Sequence, residues 1–282
     1  MTVYPFIIHL GPLEITGYGL MLMVAFLMGG WLIARQLREL DLKEEYAADV
    51  VAAAVVGGII GAKLWYVALT RDPGALFSRG GLVWYGGFVG GALAVILNSW
   101  RLRVPLRWTM QLAAPALAAA YALGRVGCFL VNDDYGRPTN LPWGVKFPNG
   151  SPPSTAANLH GFGVIVAPGV EPSTVLSVHP TQLYEVASML VVFAILWSLR
   201  RNGRPVGWLF GAYLVFAGFE RFLVEILRAK DDRLLGPFTI AQLTSAILVV
   251  IGTFLLVLWR QGPSPEPGGY LETGKRRVVS RK

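Results

Sequence analysis

The chain has 282 residues, 54% of them apolar and only 15% charged, with a formal net charge of +8. That balance excludes an ordinary soluble domain and a disordered chain, and points to a polytopic membrane protein. The basic excess lies in short linkers between apolar stretches and in the tail, so it reads as membrane topology and not as nucleic-acid binding.

No Lys or Arg precedes the first apolar segment, residues 18–35, so a cleavable leader is not expected. Further apolar segments follow at 47–69, 82–100, 109–123, 184–199, 206–227 and 238–259. Most approach the roughly 20 residues that a membrane-spanning helix needs. The fourth and fifth are short, so their ends are expected in protein or water. The class is therefore all-α polytopic membrane protein, with about seven transmembrane helices and a small extracytoplasmic head. Glycines crowd the second and third segments, GGIIGAK from Gly57 and YGGFVGG from Tyr85. Small residues at helical spacing let membrane helices approach closely. The pair Gly86 and Gly87 also leaves open the approach of a lipid head group to the backbone.

Arg35, Arg38 and Lys43, then Arg101, Arg103 and Arg107, then Arg200, Arg201 and Arg204, then Arg260 and the basic tail fall on one side of the predicted topology. The other side holds fewer: Arg71, Arg79, Arg137, Lys146, Arg228, Lys230 and Arg233. The richer side is expected to be cytoplasmic. The amino terminus then faces outward and the carboxyl terminus inward, which an odd number of spans satisfies. Residues 1–262 form the expected transmembrane catalytic domain. Within it, 129–179 are rich in Pro, Gly, Asn and Ser and form the expected outer head. Residues 263–282 are the expected basic cytoplasmic tail, disordered after Gly268.

Three blocks carry candidate chemistry. The first is GRVGCFLVNDDYGR, Gly124 to Arg137, after an uncharged run. A guanidinium near membrane depth is expensive and needs a partner or a ligand. Arg125 is thus either a ligand group or half of an ion pair, while Asn132 to Gly136 suit a turn. Cys128 is the single cysteine; it permits no intrachain disulfide, argues against a Cys-based zinc site, and reads as a small buried side chain. The second block, HPTQLYE from His179 to Glu185, opens a helix, with Pro180 at its start and Gln182 and Glu185 on one face. Glu185 is a base or an arginine's counter-ion. The third block, ERFLVEILR, puts Arg221, Glu225 and Arg228 on one stripe. That stripe is either a salt-bridged helix contact or, with Arg221 joining Arg125, a phosphate site.

With these blocks, the GYGLM of Gly17 to Met21 and the glycine-rich third segment, the chain resembles the bacterial prolipoprotein diacylglyceryl transferase family over nearly its whole length. The resemblance implies a seven-helix inner-membrane enzyme with an outward amino terminus. The implied reaction moves the diacylglyceryl group of phosphatidylglycerol to the lipobox cysteine of a prolipoprotein signal peptide and releases glycerol phosphate. It implies catalytic roles for Arg125, Arg221, Tyr85 and Glu225. It implies substrate binding by Tyr18, Arg125, Asp133, Gly136, Glu185 and Arg221. No metal, cofactor or nucleic acid is expected. The sequence departs from the family pattern at Tyr85, where a histidine is usual, at Cys128 for an asparagine, at Lys63 for an arginine and at Ala217 for a tyrosine. The alternatives are a phosphatidylglycerol-binding or lipid-transport protein without turnover, and a related transferase with another acceptor.

Overall fold

A computed structural model of the chain describes residues 1–11, 13–77, 81–230, 233–235, 238–261 and 263–272. Arg79 and residues 273–282, which enter the expectations for topology and for a disordered tail, lie outside the described residues. Among the described residues there are seven helices of 18 residues or more: α1 (Gly17–Glu39), α2 (Tyr46–Thr70), α3 (Trp84–Arg101), α4 (Leu106–Leu130), α6 (Thr181–Leu199), α7 (Trp208–Glu225) and α8 (Ile240–Gln261). A short helix, α5 (Ala156–Gly161), lies between α4 and α6. Five of the long helices, α1, α2, α4, α6 and α8, are long and apolar enough to cross a membrane. Of the other two, α7 carries Glu220, Arg221 and Glu225, and α3 is rich in Gly, Trp and polar residues. The chain divides into two compact units: residues 1–28, 114–204 and 208–261 in the first, and 29–113, 205–207 and the carboxyl-terminal segment in the second.

The first unit begins with an antiparallel hairpin, β1 (Ile7–Leu10) and β2 (Leu13–Thr16), in register from Ile7 opposite Thr16 to Leu10 opposite Leu13. The base of the hairpin is tied down. Phe6 N–H donates to the Leu130 carbonyl and Gly17 N–H to the Phe6 carbonyl, both at 2.8 Å. A Cβ on Gly17 would lie 2.6 Å from Leu130 Cβ, and one on Gly127 only 3.2 Å from Tyr18 Cα. Glycine is therefore what lets the start of α1 lie against the end of α4. Helix α4 runs to Leu130, well past the expected end at residue 123, so Arg125 and Cys128 belong to the helix and not to its exit. Gly124 and Gly127 would weaken an isolated helix, but the contact with α1 outweighs their propensity.

Below the polar end of α4, Ala114, Ala118 and Ala122 recur every fourth residue. They pack against Met189, Val192 and Leu196 of α6 and Leu209 and Ala212 of α7. Small side chains at this spacing bring three helices together. A second core lies in the segment between α4 and α6, where Tyr135, Val145, Phe147, Leu159 and Val178 cluster with Ala229. The Tyr135 hydroxyl donates to the carbonyls of Pro152 and Pro153, each at 2.9 Å.

In the second unit, α2 and α3 cross with their backbones in contact. A Cβ on Gly90 would meet Gly61 Cα at 2.7 Å, and one on Gly57 would meet the Gly90 carbonyl at 2.6 Å. Gly86 lies against Gly61 and Trp65 in the same way, so packing accounts for it. Fully buried Tyr46 shares its hydroxyl with Ser99 Oγ at 2.9 Å and Thr109 Oγ1 at 2.7 Å. The sequence reading expected disorder after Gly268, but residues 269–272 are ordered. Residues Gly269–Leu271 form a 3₁₀ turn, Leu271 is fully buried, and Tyr270 N–H donates to the Leu102 carbonyl at 3.0 Å. Two apolar anchors, Tyr270 and Leu271, offset the cost of ordering this otherwise polar stretch.

Gly90→Leu is expected to cost about 1–3 kcal/mol or more, because backbone atoms cannot yield as side chains do. Thermal unfolding in detergent, compared with Ala92→Leu at an exposed position of the same helix, checks it; equal stability of the two variants contradicts the account.

Candidate active site

Glu185, on the second turn of α6, is completely buried. Its carboxylate is held by three groups from two other helices. Arg221 Nη1 of α7 donates to Oε1 at 3.0 Å, the Tyr121 hydroxyl of α4 donates to the same oxygen at 3.0 Å, and Arg125 Nε of α4 lies 2.8 Å from Oε2. The last contact is electrostatic, without hydrogen-bond alignment. Arg125 Nη2 also donates to the Tyr121 hydroxyl at 3.2 Å, so Tyr121 and Arg125, one helical turn apart, reach the carboxylate together.

The network continues outward. Arg125 Nη1 donates to Asp134 Oδ2 at 2.8 Å, and Arg228 Nη2 pairs with Asp134 Oδ1. Arg221 Nη2 lies 2.6 Å from Glu225 Oε2, and Arg228 Nε lies 3.8 Å from the same oxygen. Three guanidiniums thus alternate with three carboxylates. Burial alone would raise the Asp134 pKa, but Arg228 and then Arg125 outweigh it and bring the group down to about 2. The Arg125 and Arg221 side chains stay 15% and 22% exposed, which leaves part of each guanidinium open to a ligand.

The backbone fixes this geometry. Gly136 N–H donates to the His179 carbonyl at 2.8 Å, Arg137 N–H to the Leu227 carbonyl at 2.8 Å, and Thr181 Oγ1 to the Asp134 carbonyl at 2.8 Å. A Cβ on Gly136 would lie 2.6 Å from the Leu227 carbonyl oxygen, so only glycine fits where the turn passes between the two neighbouring segments. Asn132 and Asp134 take left-handed conformations, with φ of 61° and 63°, which these residues tolerate best after glycine.

The sequence expected Arg125, Arg221, Glu185 and Glu225 together, and the structure joins them in one network. Of the two adjacent acids of the turn, Asp134 pairs with Arg125 and Arg228, while Asp133, which the resemblance gives to substrate binding, has no arginine or lysine at ion-pair distance among the described residues. Arg228 keeps its contact with Glu225 although α7 ends at Glu225. Tyr18 sits on the first turn of α1, where that helix meets Gly127. Tyr85 lies in the second unit, on the first turn of α3, more than half exposed and edge-on to Trp84. Sequence reasoning gave no role to Tyr121 or Asp134. The Tyr121–Arg125 spacing of four was the available signal for the first; nothing in the sequence distinguished Asp134 from Asp133.

These features fit a multi-pass membrane protein with a charge-balanced site of alternating arginines and carboxylates at the ends of three helices. Residues 5–258 match the family described as prolipoprotein diacylglyceryl transferase. Among its relatives, the phosphatidylglycerol–prolipoprotein diacylglyceryl transferase of Geobacter sulfurreducens is 32% identical, over 90% of this chain and 94% of the relative. The proteins of that name from Clostridium tetani and Paraburkholderia phymatum are 30% and 33% identical, over 89% and 90% of this chain and 96% and 92% of their own. The chain belongs to the prolipoprotein diacylglyceryl transferase family.

Asp134→Asn leaves two guanidiniums facing each other without their shared counter-charge. The expected loss is on the order of 2–3 kcal/mol, less than for a fully buried pair because the Asp134 side chain is 32% exposed. Because the folded-state pKa lies below the ordinary carboxylate value, this stabilisation is complete above about pH 4 and is lost as pH falls through about 2. Unfolding of wild type and variant between pH 2 and 7 checks the sign: their stabilities should converge in acid.

Proposed function

We propose that this chain transfers the diacylglyceryl group of phosphatidylglycerol to the thiol of a prolipoprotein lipobox cysteine, releasing glycerol phosphate. The observation that carries this reading is the convergence of Arg125 and Arg221, from separate helices, on the single buried carboxylate of Glu185. In this reading Glu185, Glu225 and Asp134 aim the arginines, whose remaining N–H groups take the lipid phosphate. Among the described residues Arg221 engages carboxylates through one contact each of Nη1 and Nη2, which leaves its other donors for that purpose. Arginine suits the task because its planar fork matches phosphate through paired donors.

The chemistry follows from where charge develops. A thiol sulfur attacks an sp³ glyceryl carbon, and the bond from that carbon to the phosphate oxygen breaks. Negative charge grows on the departing phosphate. Two cations already fixed in place oppose it without reorganising, and preorganisation of this kind is commonly the largest catalytic term. Tyr18, beside Arg125 at the α1–α4 contact, orients the head group. Gly136 contributes by letting the turn pass close to its neighbours. The assignment of Tyr85 to the reaction rests on the resemblance alone.

The seven long helices serve as transmembrane segments, with residues 1–262 as the catalytic domain. The amino terminus and the segment 129–179 face outward, and the basic carboxyl terminus faces the cytoplasm. The distribution of Lys and Arg supports that orientation.

With purified protein in phosphatidylglycerol micelles and a lipobox peptide, wild type is expected to form the thioether and release glycerol phosphate. Arg125→Lys and Arg221→Lys should each lose about 100-fold or more in kcat, as removal of one preorganised donor typically does. Binding of the lipid without glycerol phosphate release by wild type would replace the transferase reading with a lipid-binding one.

A further inference from the structure

We infer that the Asp133 carboxylate accepts the proton of the attacking thiol. The inference rests on the transferase reading and assigns a role that reading leaves open. A free thiol has a pKa near 8.5, so at neutral pH the sulfur needs a base to become a good nucleophile. A carboxylate serves as that base only if its charge is not already committed to a cation.

The described acids around the arginines can be sorted by that test. Glu185 is committed to Arg125, Arg221 and Tyr121. Glu225 is committed to Arg221 and Arg228, and Asp134 to Arg125 and Arg228. Glu220 is buried on α7 and takes the Ser188 hydroxyl at 2.9 Å, which closes it off from an incoming peptide. Asp133 differs from all four. It is only partly buried, it has no ion-pair partner among the described residues, and its Oδ1 accepts nothing stronger than the Asp134 N–H at 2.7 Å.

The titratable groups around Asp133 are Tyr18 of α1, Arg125 and Cys128 of α4, Asp134 and Tyr135 of its own turn, and Arg228 after α7, while from α6 the neutral Gln182 amide donates to the Asp133 carbonyl. Burial, followed by the negative charge of Asp134, raises the proton affinity of Asp133 above that of an ordinary aspartate, against a weaker pull from Arg228 and Arg125. Arrival of a lipid phosphate adds another negative charge to a network whose three arginines and three carboxylates already cancel. Asp133, the carboxylate of the turn without a cation partner among the described residues, then becomes a better base in the complex than in the free protein.

The step balances. Asp133 takes the S–H proton, and the sulfur electron pair forms the S–C bond. The C–O bond breaks, and its pair stays on the phosphate oxygen held by Arg125 and Arg221. The glycerol phosphate dianion then recovers the proton from Asp133, so nothing is oxidised or reduced and the carboxylate is restored.

The test uses the full chain in phosphatidylglycerol micelles with two acceptors, a lipobox peptide and the same peptide carrying selenocysteine at the acceptor position. A selenol is more acidic than a thiol and is already ionised at neutral pH. Asp133→Asn should lower kcat for the thiol peptide by about 100-fold or more at pH 7 while KM for the lipid changes by less than about threefold. Its remaining rate should climb with pH toward the free thiol pKa, and the selenol peptide should restore turnover to within about tenfold of wild type. Asp133→Ser, read the same two ways, serves if the Asn variant does not fold. A kcat within about threefold of wild type, or a loss that neither pH nor the selenol relieves, overturns the assignment. So does transfer of the whole signature to Glu220→Gln. Wild type inactive with both peptides overturns the transferase reading itself, and the base assignment with it.

Discussion

A carboxylate with no exposure to solvent, on the second turn of a helix of a membrane protein, is the constraint around which the first unit is arranged. Removing the Glu185 charge from water costs several kcal/mol unless cations and hydrogen bonds surround it. The partners come from α4 and α7, so three helices must hold one axial register. Sliding any of them by a single turn, about 5.4 Å, would strand the charge. The alanine ladder of α4 lets the helices approach closely enough for the contacts to form, and the polar network above it fixes which close approach is the correct one. Packing sets the distance and Glu185 sets the register.

The same network explains why arginines are stable there without a ligand. Each of the three guanidiniums touches two carboxylates, and each of the three carboxylates touches two guanidiniums. Such a closed set carries no net charge, so it does not depend on an anion to remain in a low-dielectric region. It nevertheless keeps donors in reserve, because Arg125 and Arg221 are incompletely covered. On the proposed reading, a lipid phosphate binds to groups already in place and does not have to draw them together. A transfer reaction whose transition state gathers charge on phosphate gains from that arrangement.

Much of this was legible in the sequence because membrane helices leave strong signals. Long apolar runs located the seven long helices among the described residues, five of which are long and apolar enough to cross a membrane. Arg125 and Arg221 announced a site because a guanidinium within an apolar run is costly and must be matched by a counter-charge or a ligand. The spacing of Gln182 and Glu185 predicted a shared face, and both are fully buried. What could not be read depended on the backbone in irregular regions. The end of α4 was placed too early because Gly124 and Gly127 weaken helix propensity, and the compensating contact with α1 is tertiary. The hairpin at residues 7–16 is short and its alternation is poor. The core of the segment between α4 and α6 draws on Tyr135, Phe147, Leu159 and Val178, which are dispersed among polar residues and share no period.

The contrast between Asp133 and Asp134 is the most instructive feature of this turn. Two adjacent identical side chains have no distinguishing signal in sequence. Their fates separate because Asn132 and Asp134 adopt positive φ, and that conformation brings Asp134, not Asp133, onto both arginines. Once Asp134 holds the cations, its own negative charge acts on its neighbour in the opposite sense. The pKa of Asp134 falls to about 2 while that of Asp133 rises. Neighbouring acids driven apart in this way divide the labour that acid–base chemistry requires: one stays ionised as a structural counter-charge, and the other gains proton affinity. A turn that merely closed the helix end would need no such division, and a lipid-binding site would need only the first of the two acids.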